Sequence, residues 1–434
     1  MIVVINYKEY MMKTINKLLI LVGCILLVAC SKQKPMDVFP GINKLQHLWQ
    51  NENGDYFTAI QYVDGKFTLH QPKTGRSYYY FIKNNQQVSR PVHSPSLSYI
   101  KGRLIFGDEV LKPAETKNIE ITFSSHNTQF YGILTVPISD HPVPVVINSH
   151  GSERSVATAF EKSSSWYIDA GFATFTFDKR GTGSSGGEYT HNFDIMADDL
   201  VAAINTISKR SEIDPNKLGV AGFSQGVYVS TLAASRTNKI KFAIESFGMT
   251  ESPIIEDLHI TEIMFNKAYP KESWEEFEPF VKACQNALAL EKNDEWSIVV
   301  ELKKDWVNKI NPEFLSGSLV GDGCLSWGPT LLKWVGRNHF PPGIIWDYDP
   351  IPSMESLNIP VIWQFGGKDI TAPNENTRKQ IKHWIEQEKP FTMYLYPEAA
   401  HGILISAVDK FGETYRYKDP QYITDLIAWL KKLK

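Results

Sequence analysis

Short apolar runs set the rhythm of the chain from about residue 114 to its end. Pro144-Val145-Val146-Ile147-Asn148, Leu218-Gly219-Val220-Ala221, Ile240-Lys241-Phe242-Ala243-Ile244-Glu245, Ile359-Pro360-Val361-Ile362-Trp363-Gln364-Phe365 and Phe391-Thr392-Met393-Tyr394-Leu395-Tyr396 each read as a strand. Ahead of them, Ile119-Glu120-Ile121-Thr122-Phe123 and Tyr131-Gly132-Ile133-Leu134-Thr135-Val136 predict an antiparallel pair that opens a mostly parallel sheet. Residues 31 to 113 follow another pattern. Polar and aromatic positions mix along Tyr56-Phe57-Thr58-Ala59-Ile60-Gln61-Tyr62-Val63 and Tyr78-Tyr79-Tyr80-Phe81-Ile82, and Asp64-Gly65 and Thr74-Gly75 punctuate as turns, which predicts a small β-rich domain without the repeats of a propeller. About a hundred residues separate the Ile240 strand from the run ending at Phe365, far more than one crossover helix needs. An insertion is therefore predicted, with helices over 273–290 and 294–310; Trp274, Trp296, Trp306, Trp327, Trp334 and Trp346 all fall in it.

Composition narrows the classes. With 43% hydrophobic residues, 21% charged and a formal net charge of −3, the chain can bury a large core. Its 45 basic residues nearly balance its 48 acidic ones, so there is no electrostatic footprint for nucleic acid. No Cys-x-x-Cys, His-Glu-x-x-His or Gly-x-x-x-x-Gly-Lys spacing occurs, and neither a metal nor another cofactor is expected. At the amino terminus, Lys13 and Lys17 precede an apolar stretch, residues 18–29, that is short for a membrane span and reads as an export signal, better formed if it starts at Met11 or Met12. Its end, Leu27-Val28-Ala29-Cys30, resembles the lipobox of bacterial lipoproteins, which implies lipidation of Cys30. Ser31 then favours the outer membrane, and the expected location is the cell envelope, facing the periplasm.

Gly222-Phe223-Ser224-Gln225-Gly226 stands directly behind the Leu218 strand and before a helix-forming stretch. Strand, Gly-x-Ser-x-Gly and helix make a nucleophile elbow, whose glycines permit a turn that presents the serine hydroxyl. A serine needs a base to take its proton and an acid to orient that base. Asp369 follows the strand that ends at Phe365, and His401 lies in the loop after the Phe391 strand, so the order serine, acid, histidine is met. The N–H of Gln225 supplies one donor for the oxyanion of acyl transfer, and Ser152, in the loop after the Pro144 strand, is the candidate for the second because Gly151 lets the backbone approach closely. His150 is expected to brace that loop.

Taken together, His150-Gly151-Ser152, Phe177-Asp178-Lys179-Arg180-Gly181-Thr182-Gly183-Ser184-Ser185, the elbow, Phe365-Gly366-Gly367-Lys368-Asp369 and Ala400-His401-Gly402 resemble the α/β-hydrolase superfamily over about residues 115 to 434. Within it the chain is similar to bacterial dienelactone-hydrolase, serine-aminopeptidase and prolyl-oligopeptidase-like enzymes. The resemblance implies an α/β-hydrolase fold with Ser224, Asp369 and His401 as triad, a cap formed by the insertion, and Arg180 as a loop brace. It divides the chain into a signal (1–30), a β-rich domain (31–113), a catalytic domain (114–249 and 347–434) and a cap (250–346). The first functional expectation is a serine hydrolase cleaving a small-molecule ester. An aminopeptidase or oligopeptidase acting on short peptides is the second, with Glu275, Glu276 and Glu278 as carboxylates that could read a free amino terminus. A binding lipoprotein without activity is the third, and the intact triad speaks against it. Cys284 and Cys324 both lie in the insertion. An oxidising compartment permits a bridge between them. The helix-like apolar run around Cys284 instead favours two buried thiols, and the sequence does not give the distance that decides.

Overall fold

A computed structural model describes residues 47–61, 66–83, 86–89, 94–157, 164–327 and 342–434. The export segment, the lipidation candidate Cys30 and Trp334 lie outside the described residues. Eight short strands come first: β1 (Leu48–Gln50), β2 (Tyr56–Gln61), β3 (Lys66–Gln71), β4 (Arg76–Lys83), β5 (Gln86–Ser89), β6 (Leu97–Ile100), β7 (Arg103–Phe106) and β8 (Glu109–Pro113). They form one sheet in the order β5-β4-β3-β2-β1-β8-β7-β6, antiparallel at the pairings β1 to β4 and β6 to β8 make. Side chains alternate across it with the period of two that pleating imposes. In β4, Tyr80 and Ile82 are buried with Trp49, Phe57 and Phe67, while Tyr79 and Phe81 face solvent.

The second sheet is built from β9 (Thr116–Ser125), β10 (Thr128–Pro137), β11 (Val143–Ser149), β12 (Ala173–Phe177), β13 (Ile213–Phe223), β14 (Ile240–Ser246), β15 (Val361–Gly366) and β16 (Phe391–Tyr396). Its order is β16-β15-β14-β13-β11-β12-β10-β9. Pairings are parallel from β12 through β16, and β10 runs antiparallel to both β9 and β12. Strand residues alternate between two cores because both faces are covered. Val145, Ile147 and Ala243 pack with α2 (Phe193–Ile207), α3 (Gly226–Ser235) and α8 (Glu375–Glu386), whereas Val146, Phe242 and Ile244 pack with α1 (Ser164–Ala170) and α9 (Pro420–Lys431). α2 starts where Asn192 accepts the N–H of Ile195, an N-cap that satisfies one of the first-turn donors. The exchange of β11 and β12 in spatial order sets a switch point. The carboxyl ends of β11 and β13 beside it open onto one crevice, the place where open α/β sheets bind ligands.

Between β14 and β15 come α4 (Pro253–Ala268), α5 (Trp274–Leu288), α6 (Glu295–Trp306), a π-helical turn (Leu319–Leu325) and the short α7 (Ile351–Glu355). Phe265, Phe277, Val281, Trp296 and Trp306 join in a core of their own. Within that core Cys284 and Cys324 form a disulfide with Cα atoms 6.1 Å apart. The bridge decides between the two alternatives that the sequence left open, and it forms because the π-helical turn folds back onto α5, a placement that neither residue's local sequence encodes. Finally β17 (Leu404–Val408) and β18 (Thr414–Lys418) make a hairpin just after His401. Among the described residues no helix is long and apolar enough to cross a membrane.

Candidate active site

Ser224 sits between the end of β13 and the start of α3 with φ at 54°, the left-handed region that costs an ordinary side chain on the order of 1–3 kcal/mol. The flanking glycines are needed for space. A Cβ on Gly222 would lie 2.2 Å from Ser230 Oγ, and one on Gly226 would lie 2.0 Å from the carbonyl oxygen of Ser149. The elbow is tied to the neighbouring strand by the N–H of Ser224, which donates to Ser246 O at 3.0 Å.

Asp369 and His401 reach the same point from the loops after β15 and β16. One carboxylate oxygen of Asp369 accepts the N–H groups of Thr371 (3.0 Å) and Ala372 (2.9 Å), which aims the other at Nδ1 of His401, 2.9 Å away. Nε2 of His401 lies 3.1 Å from Ser224 Oγ. Phe247 holds the imidazole edge-on, its ring centroid 5.2 Å from that of His401. The Asp369 side chain is fully shielded from solvent. The structure therefore brings Ser224, His401 and Asp369 into one hydrogen-bonded row.

Above the serine is a cavity of about 750 Å³. Ser152 and Gln225 line it, and among the described residues the backbone N–H of neither has a protein acceptor. Met249, Ile260, Ile344 and Trp346 make an apolar wall, so one of the insertion's tryptophans meets the cavity while Trp274, Trp296 and Trp306 are spent on the insertion's own core. The carboxylates on the cavity are not those expected from sequence. Glu275 and Glu276 are exposed on α5 and Glu278 pairs with Lys282 at 2.9 Å, because the face of α5 that carries them points away from its own core. Glu256 and Asp257 of α4 line the cavity instead. Asp257 is a brace, accepting from Gln285 Nε2 (2.7 Å) and Leu319 N (2.9 Å). The Glu256 carboxyl makes no hydrogen bond among the described residues. Burial first, and then the charges of Asp369, Asp257 and Glu251, push its carboxyl up to about 8.

The remaining polar groups hold the loops. His150 Nδ1 lies 3.1 Å from Glu153 Oε1, and burial lowers the imidazole below its ordinary range, as suits a neutral brace. Arg180 makes a forked bond to Asp199 (Nε to Oδ2 3.1 Å, Nη2 to Oδ1 2.6 Å) and donates to Thr128 Oγ1, which spends its guanidinium away from the cavity. His191, which no motif marks, lines the cavity with Nδ1 2.7 Å from the side-chain nitrogen of Gln225; burial lowers it to about 4, so it is neutral near pH 7. Among the described residues no group of three or more His, Cys, Asp or Glu side chains is arranged to hold a metal ion.

Residues 140–301 match the model of the family described as Serine aminopeptidase, S33. That stretch runs from β11 through β14 into the insertion, and the sheet order is that of an α/β-hydrolase fold. It is 28% identical over 121 residues to an uncharacterized 31.7 kDa protein of the traX-finO intergenic region in Escherichia coli, a stretch that covers 28% of this chain and 42% of that protein. It is 26% identical over 138 residues to the quorum-quenching protein AidA of Acinetobacter baumannii, covering 31% of this chain and 44% of that one. The chain thus spans less than half the length of these curated relatives. Among solved structures, an esterase of Pyrococcus furiosus is similar with a TM-score of 0.43 and 19% identity, over 74% of this chain and 91% of the other.

Proposed function

We propose that this chain is a serine hydrolase that cleaves a small carboxylic ester through an acyl-enzyme. The observation that carries the reading is the row Asp369 Oδ2, His401 Nδ1, His401 Nε2, Ser224 Oγ, with gaps of 2.9 and 3.1 Å. In the proposed first step, His401 Nε2 takes the hydroxyl proton while Ser224 Oγ bonds to the carbonyl carbon, and the N–H groups of Gln225 and Ser152 receive the oxyanion. Collapse breaks the bond to the leaving alkoxide, which takes the proton back from His401. Water, deprotonated by the same imidazole, then attacks the acyl carbon and frees Ser224. Asp369 keeps the imidazole in the tautomer that accepts from serine and stabilises its charged form. The apolar wall of Met249, Ile260, Ile344 and Trp346 suits an uncharged acyl or alcohol group.

A second reading rests on Glu256. A cavity carboxyl without a partner would be held ionised by a substrate ammonium, as an aminopeptidase substrate would supply. Covalent labelling with a fluorophosphonate tests the mechanism. The wild type should label and Ser224→Ala should not, while keeping its circular dichroism spectrum; label on the variant at another serine would overturn the assignment. Turnover of nitrophenyl esters of increasing chain length, measured beside aminoacyl-nitroanilides, then separates the two substrate classes.

A further inference from the structure

The peptide group joining Gly151 to Ser152 carries both a carbonyl and the N–H proposed above as an oxyanion donor. All peptide bonds in the described chain are trans, so that carbonyl and that N–H point in opposite directions from one plane. Whatever grips the Gly151 oxygen therefore aims the Ser152 N–H. Lys179 grips it: Nζ donates to Gly151 O at 2.5 Å. The next carbonyl along, Ser152 O, accepts from the Tyr189 hydroxyl at 2.6 Å, so two successive peptide planes of the loop are pinned. Lys179 is itself held where β12 ends, its own carbonyl accepting from Thr182 N (2.9 Å) and Thr182 Oγ1 (2.8 Å), one strand over from β11, which carries the loop.

The side chain of Lys179 is buried, and burying an ammonium costs several kcal/mol unless the charge is used. A methionine would fill the same volume without that cost. Among the described residues no acid pairs it off: Tyr189 presents its ring at 5.7 Å, and Glu153, the acid that acts on it, is engaged by His150 at 3.1 Å. The cation is spent on one carbonyl. An ammonium on that oxygen also draws electrons through the amide and makes the N–H at its other end a stronger donor.

We propose that Lys179 is a positioning residue that aims and polarises the Ser152 N–H toward the oxyanion, with Tyr189 holding the adjoining plane. The inference rests on the reading of Ser152 as an oxyanion donor. Because it concerns the transition state, it shows in kcat rather than KM. K179M should lower kcat for a nitrophenyl ester on the order of a hundredfold, the usual loss for one oxyanion donor, and leave KM within a few-fold. It should weaken a boronic acid inhibitor, whose tetrahedral adduct mimics the oxyanion, by a similar factor. K179R, which restores a cationic donor, should recover a large part of both. Y189F, which folds around an unchanged lysine, should give a smaller loss of the same kind. An unchanged kcat in K179M overturns the proposal, and so do equal changes in KM and kcat that K179R does not rescue. If K179M does not fold, Y189F decides by the same split. Loss of all turnover in Ser224→Ala alongside a fully active K179M would leave the proposed mechanism standing and remove only the role of Lys179, whereas an active Ser224→Ala would remove the mechanism itself.

Discussion

Glu256 shows how one residue can serve a site and tax the fold. Its carboxyl is pushed up to about 8 from an ordinary 4.5, chiefly by burial. Between those values the folded chain binds a proton that the unfolded chain has released, so stability falls as pH rises. The stability that the neutral carboxyl provides is complete below about 4.5 and is lost as pH climbs through about 8. Glu256→Gln removes the titration. The variant should match the wild type near pH 4 and become the more stable of the two as pH approaches 9, by at most about 5 kcal/mol when the shift is converted at about 1.4 kcal/mol per unit. Urea unfolding at the two pH values checks it; a constant difference between the proteins would show that the carboxyl is not held neutral. This residue was not legible beforehand. Glu256 and Glu275 look alike along the chain, and only the placement of α4 over Ser224 sets one on the cavity and the other in water.

At the scale of elements, the insertion is a small core stapled by one bridge. α5 was legible because Trp274, Phe277, Val281, Cys284 and Leu288 recur at helical spacing, and the predicted span 273–290 contains the observed Trp274–Leu288. The disulfide was not, since it needs the π-helical turn at 319–325 to lie against α5. It closes a loop with a sequence separation of 40, which the chain-entropy model values at about 4 kcal/mol. Thiol counting on the denatured, unreduced protein should find neither Cys284 nor Cys324 free. Replacing both by alanine should lower stability by up to that amount and expose 250–346 to proteolysis ahead of the two sheets; digestion with an unchanged pattern would mean that packing alone holds the insertion.

Across the whole molecule, the amino-terminal sheet reaches the histidine loop. The turn before β4 brings Gly75 against β18, where the N–H of Lys418 donates to Gly75 O at 2.9 Å and Arg76 lies 4.2 Å over the Tyr415 ring. Lys418 Nζ in turn donates to Gly402 O at 2.8 Å, next to His401. Gly75 has φ at 67°, and a Cβ there would sit 1.7 Å from Lys418 O. Gly75→Ala should therefore cost on the order of 1–3 kcal/mol in backbone strain alone and shift the hairpin that follows His401, lowering kcat together with the melting temperature. A variant with wild-type turnover and a lowered melting temperature would show that the contact supports stability and not the site.

The sequence by itself determined seven strands of the catalytic sheet (all but β12), the elbow at Ser224, and the order in which Asp369 and His401 follow later strands. These are local properties: a glycine-flanked turn, a run of apolar residues and the loop after it are set by neighbours a few positions away. Tertiary structure alone decided which carboxylate meets the cavity, that Lys179 takes the Gly151 carbonyl, that His191 joins the wall, that Cys284 finds Cys324, and that a turn near residue 75 touches the hairpin after His401. Each of these joins groups from separate elements, and the distance between them depends on how helices and sheets pack, which burial and shape fix only once the whole core has formed.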